Sequence, residues 1–154
     1  MIETKTLEKQ KQLLDFKYIG ETYNEDDLID AYLSGKSVGE NEYETKLKSH
    51  IYNGLQSAAL TANLFKERLN TISIQVIDMY LRITGVDEFE CLAIMQDKDY
   101  YNKDKRWKSY EVSKVINNAV SEFNLSFSLI PFSEELRTDV ITSDGFYFKY
   151  NNGE

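Results

Sequence analysis

The run from Thr45 to Leu69 constrains the fold more than any other part of the chain. Leu47, Ile51, Leu55, Ala58, Ala62, Phe65 and Leu69 recur at steps of three and four residues, which stacks them along one stripe of an α-helix. Leu60 and Leu64 are expected to widen that apolar face. A helix with so long an apolar stripe is expected to lie centrally against a sheet.

The sheet follows directly. Ile72, Ile74 and Val76 alternate, and the pattern then changes phase to Ile77, Met79, Leu81 and Ile83. Two adjacent apolar residues inside an alternating strand predict a β-bulge at 76–77. After the turn "TGVDE", the segment from Phe89 to Gln96 returns as the second arm of an antiparallel hairpin. Phe89, Cys91, Ala93 and Met95 take one face and Leu92 and Ile94 the other. A strand that is apolar on both faces is covered on both.

Val112, Val115, Ile116, Ala119, Val120 and Phe123 then outline a further amphipathic helix. Leu125, Phe127 and Leu129 alternate with Ser126 and Ser128 as a half-buried strand that Pro131 ends. An Asp144–Gly145 turn precedes a last strand with Phe146, Phe148 and Tyr150 on one face, an edge able to pair between chains in a homo-oligomer. Upstream, Thr4 to Tyr18 reads as a first helix through Leu7, Leu14 and Tyr18. Asn24 caps a short second helix with Leu28, Ile29, Tyr32 and Leu33, which stops at Gly35.

The expected fold is therefore α+β: N-terminal helices packed on a mixed four-stranded sheet, in the order ααα-ββ-α-β-β. It forms a single domain over residues 1–154, with a helical front at 1–70 and a sheet-containing rear at 71–154. The β-α-β portion is expected to make a right-handed parallel crossover.

Composition bounds the function classes. The chain carries a net charge of −8, spread over both halves. That disfavours double-stranded nucleic acid, whose phosphates supply most nonspecific affinity, and is compatible with basic partners, with cations, or with nothing beyond solubility. A single cysteine, Cys91, precludes an intramolecular disulfide, and there is neither a CxxC pair nor a histidine cluster for zinc. His50 is the lone histidine and reads as a surface or packing residue. "SGKS" is no phosphate loop, because Asp30 stands where the pattern needs glycine. No apolar run reaches the ~20 residues of a membrane span, and the charged start "MIETKTLEKQKQLLDF" lacks an export leader, so a cytoplasmic location is expected.

Two places carry candidate chemistry. Glu88 and Glu90 flank Phe89 and share a strand face, where two carboxylates can hold a divalent cation such as Mg²⁺. "DEFECLAIM", a helix, and then "LSFSLIP" together resemble the second half of the nucleotidyltransferase core, in which acid-x-acid on a strand binds metal. The resemblance implies a metal-dependent nucleotide- or phosphate-processing enzyme with Glu88 and Glu90 as its catalytic and metal-binding pair. The chain departs from that pattern in using glutamates, in reading "ITGVDE" where a glycine-rich Gly-Ser loop belongs, and in carrying Ser126 at the third acid position.

The other place is the segment 97–110, with five cations, three aspartates and four aromatics. Tyr100, Tyr101 and Trp107 offer stacking faces, while Lys103, Lys105 and Arg106 offer charge for an anionic group. Its structural reading is a loop in which Asp99 or Asp104 caps the coming helix and Trp107 packs on the sheet. At ~3.3 Å per strand residue, Glu90 and Asp97 should stand roughly 20 Å apart, too far for one small substrate to touch both. The favoured expectation is a non-enzymatic protein-binding or regulatory module, immunity- or inhibitor-like, with no cofactor. The alternative is the metal-dependent enzyme.

Overall fold

The apolar stripe forms helix α1 (Asn41–Thr71) in the computed structural model, which describes residues 15–20, 28–29, 41–119 and 122–151. Ile51, Leu55, Ala58, Ala62, Phe65 and Leu69 are all fully buried. Leu60 and Leu64 do not widen that face; they stand 51% and 42% exposed. At 3.6 residues per turn, each residue rotates about 100°, which puts Leu60 on the far side of the helix from Ala58 and Ala62.

The sheet has five strands rather than four: β1 (Phe16–Tyr18), β2 (Val76–Gly85), β3 (Glu88–Met95), β4 (Asn124–Pro131) and β5 (Phe148–Tyr150). Their spatial order is β1-β5-β2-β3-β4, with β3 and β4 parallel and the other pairs antiparallel. The β2–β3 hairpin carries the expected bulge, a register shift between Val76 and Asp78. Ile72 falls outside the strand, in the turn after α1, and is 43% exposed.

The unexpected strand is β1, whose residues the sequence places at the end of a first helix. Phe16 is buried with its ring edge-on to Tyr150 at 5.5 Å, and Tyr18 packs on Phe148 at 5.5 Å. Backbone pairing with β5 then holds the segment extended, so tertiary packing overrides the local helical pattern. As a consequence β5 lies inside the sheet, and Phe146–Tyr150 is not an edge. Phe146 also leaves the face of Phe148: it joins Tyr80, Ile94 and Ile141 in a cluster on the opposite side.

β3 is covered on both faces, as its composition requires. Phe89, Cys91, Ala93 and Met95 join the main core with Leu55, Ala58, Ala62 and Phe65 of α1. Ile94 packs instead with Ile141 of the short helix α4 (Thr138–Ser143).

The segment after β3 is not a loop. It folds into α2 (Asp97–Tyr100) and α3 (Lys103–Asn118), and neither Asp99 nor Asp104 is the cap of α3. Asn102 takes that role, its side-chain oxygen accepting the Lys105 N–H at 3.2 Å. The buried face of α3 is Ser109, Ser113 and Ile116, while Val115 is exposed and Phe123 packs into the core from beyond the helix. The small serines leave room for α3 to pack beside α1 and β4.

Ile29 is buried with Ile51, and Leu28 packs on the main core. The remainder of the expected first and second helices, with Asn24 and Gly35, lies outside the described residues, as does Val120. Among the described residues no helix is long and apolar enough to cross a membrane.

Candidate functional site

Glu88 and Glu90 start β3 opposite Gly85 and Arg82 of β2. Glu88 is exposed. Glu90 is engaged at both oxygens: Oε1 accepts Nε and Nη2 of Arg82 at 2.9 and 2.6 Å, and Oε2 accepts the Ser128 hydroxyl at 2.6 Å. Arg82 also donates Nη1 to the Asp144 carbonyl at 2.8 Å, and its guanidinium stands 4.7 Å from the centre of the Phe146 ring. This polar network ties β2, β3, β4 and the α4–β5 turn together on one sheet face. Among the described residues no three His, Cys, Asp or Glu side chains gather as a metal site.

The basic and aromatic segment separates into inward and outward halves. Tyr100 packs on the core, Arg106 donates to the Tyr100 carbonyl at 3.0 Å, and its guanidinium lies 5.4 Å from the Tyr100 ring centre. Lys105 pairs with the buried Asp99 at 3.0 Å. Three of the six nominated residues therefore serve the fold. Tyr101, Lys103 and Trp107 face solvent, with Trp107 at 65% and Tyr101 at 70% exposure. Trp107 does not pack on the sheet, because its position on α3 is opposite the buried Ser109, Ser113 and Ile116.

His50 has an acidic neighbour that the sequence did not reveal. Its Nε2 hydrogen-bonds with Oδ1 of Asp87 in the β2–β3 turn, joining α1 to the hairpin, and both side chains are about half exposed. Cys91 is fully buried in the core face of β3.

A third place emerges only in three dimensions. A cleft of about 240 Å³ opens between α1, the start of β2 and the end of β5, lined by Asn63, Lys66, Glu67, Asn70, Gln75 and Tyr150 over the buried Val76. The Tyr150 hydroxyl donates to Oδ1 of Asn63 at 3.2 Å, and the Lys66 ammonium stands 4.4 Å above the Tyr150 ring. Burial, together with the nearby Asp15 and Glu67 carboxylates, raises the Tyr150 phenol above its ordinary range.

Comparison with protein-family models, curated proteins and solved structures gives no match. The cleft was legible in part: Asn63, Lys66, Glu67 and Asn70 are spaced i, i+3, i+4 and i+7, a polar stripe along α1. Nothing local to the sequence says that Tyr150 closes it.

Proposed function

We propose that this chain is a non-enzymatic, cytoplasmic protein-binding or regulatory module that engages its partner through the outward face of α3 and the α2–α3 junction. The placement of Trp107 carries the reading. The chain's single tryptophan is 65% exposed, although an indole is among the side chains that gain most from burial. It shares its helical face with Lys103, Tyr110 and Lys114, and Tyr101 stands exposed at the helix entry.

Exposed aromatic clusters on a monomer mark interaction surfaces, and Trp and Tyr anchors dominate interface energetics. The segment 97–110 carries five cations against three aspartates, so its sign is opposite to that of the chain as a whole. The partner surface it suits is acidic around an apolar pocket. An immunity- or inhibitor-like role fits one preformed face of this kind. The metal-dependent alternative draws less support, since Arg82 and Ser128 already occupy both oxygens of Glu90.

The test is affinity capture at low salt from the source cells, with wild type and Trp107→Ala immobilised side by side. A stoichiometric partner retained by wild type and lost by the variant is expected. Recovery of no stoichiometric partner, or equal retention by both proteins, overturns the proposal.

A further inference from the structure

The cleft beside Tyr150 is a preorganised arrangement of polar groups that the protein-binding reading does not use. Its rim is rigid where Gln75 forms it. The Gln75 N–H donates to Asp99 at 2.9 Å and its carbonyl accepts the Gln96 N–H at 3.1 Å, which leaves the exposed side chain free to reach a ligand from a fixed backbone. The opposite wall is equally fixed, because Asn63, Lys66, Glu67 and Asn70 all project from the long helix α1.

The lining decides the ligand class. Lys66 and Glu67 contribute one charge of each sign, so the lining carries no net charge and gives little reason to prefer an anion or a cation. What it holds in excess is carboxamide. Asn70 and Gln75 each present a two-proton donor and a carbonyl acceptor in one plane, while Asn63, whose carbonyl already accepts the Tyr150 hydroxyl, offers its amide, which also reaches Glu67 at 3.5 Å. Adjacent hydroxyls of a sugar ring offer the matching pairs of acceptor and donor. Val76 lies at the apolar floor, against which C–H groups can rest. The volume, about 240 Å³, lies below that of pockets for drug-sized ligands. We propose that this cleft binds a small, neutral, polyhydroxylated ligand, a monosaccharide or similar polyol, through Asn63, Asn70, Gln75 and Tyr150.

The experiment is a ¹H–¹⁵N NMR titration of the full chain with glucose, galactose, mannose, ribose and inositol, each taken to tens of millimolar. Acetate, inorganic phosphate and glycine form parallel arms. For at least one polyol, the side-chain amides of Asn63, Asn70 and Gln75 are expected to shift saturably. Asn70→Ala and Gln75→Ala, both exposed positions, should each weaken that binding by about tenfold, the worth of one or two hydrogen bonds. The proposal is overturned if no polyol gives a saturable shift at these amides. It is equally overturned if only acetate, phosphate or glycine does so, or if both variants bind the polyol as wild type does. A failure here leaves the Trp107 face untouched, since that face lies on α3 and has its own capture test.

Discussion

Asp99 accepts the backbone N–H of Gln75 at 2.9 Å, closing a span of 24 residues from the start of β2 to the helix that follows β3. Its other oxygen takes the Lys105 ammonium at 3.0 Å, and the residue is only 2% exposed. Burial pushes this carboxyl up, but the Gln75 N–H and Lys105 outweigh it and hold the group below the usual carboxylate range. A folded-state pKa below the unfolded one contributes stability that is present above the unfolded value, about 3.9, and lost as pH falls through the folded value. Asp99→Asn is therefore expected to cost about 1–3 kcal/mol at neutral pH. The gap from wild type should narrow on acidification below about pH 4. Urea denaturation across that range checks it, and a gap independent of pH would refute the assignment.

Gly54 of α1 lies beneath the ring of Phe89. A Cβ at this position would meet Phe89 at 2.9 and 3.0 Å, and that ring is fixed edge-on to Phe123 at a centroid separation of 5.9 Å. Ala is favoured over Gly in a helix by about 1 kcal/mol, whereas overpacking a core costs about 1–3 kcal/mol. The clash should win, so Gly54→Ala is expected to destabilise the protein. In a Phe89→Leu background the same substitution should become stabilising. A double-mutant cycle by chemical denaturation reads the change of sign directly.

The long elements were legible because their periods repeat. α1 shows its stripe over about six turns, and β2, β3 and β4 run for eight to ten residues each, enough for alternation and a phase change at the bulge to stand out. β1 has three residues, too few for a period to show, and its pairing with β5 is what makes it a strand; β5 is expected from the sequence but is confined to Phe148–Tyr150, held between β1 and β2. The start of α3 was hidden by its chemistry. Its buried face is built on Ser109 and Ser113, whose hydroxyls bond back to the Lys105 and Tyr110 carbonyls, so polar letters stand where a core is expected. That same substitution of serines for apolar residues concealed Trp107's outward direction. The candidate cleft depends on Tyr150 meeting Asn63 across 87 residues, a contact that no local pattern encodes.

Glu90 yields a stability expectation independent of any catalytic role. Its side chain is 17% exposed and bridges Arg82 and Ser128, so Glu90→Gln leaves a partly buried guanidinium without its countercharge. A loss of about 1–2 kcal/mol is expected from the weakened charged hydrogen bonds. Adding Mg²⁺ should not change it. Thermal melts of wild type and variant, with and without Mg²⁺ and a nucleoside triphosphate, measure both effects. Stabilisation of wild type by metal with nucleotide, abolished in the variant, would revive the phosphate-processing alternative.

Cys91 offers a probe of how β3 opens. Its thiol is fully buried against α1, and burial pushes its pKa up, with the neighbouring Glu90 carboxylate adding to the shift. The thiolate is the reactive form, so reaction requires both exposure and release from this environment. An aromatic disulfide reagent is expected to leave Cys91 unmodified in the native protein, and labelling in denaturant should follow global unfolding, since β3 lies between β2 and β4 at the centre of the core. Cys91→Ser should destabilise the fold by about 1–3 kcal/mol, because a hydroxyl there enters an apolar setting. Cys91→Ala should cost less than the serine variant, as it adds no polar group to desolvate. Rapid stoichiometric labelling without denaturant would instead show that the β3 region opens locally at low free energy.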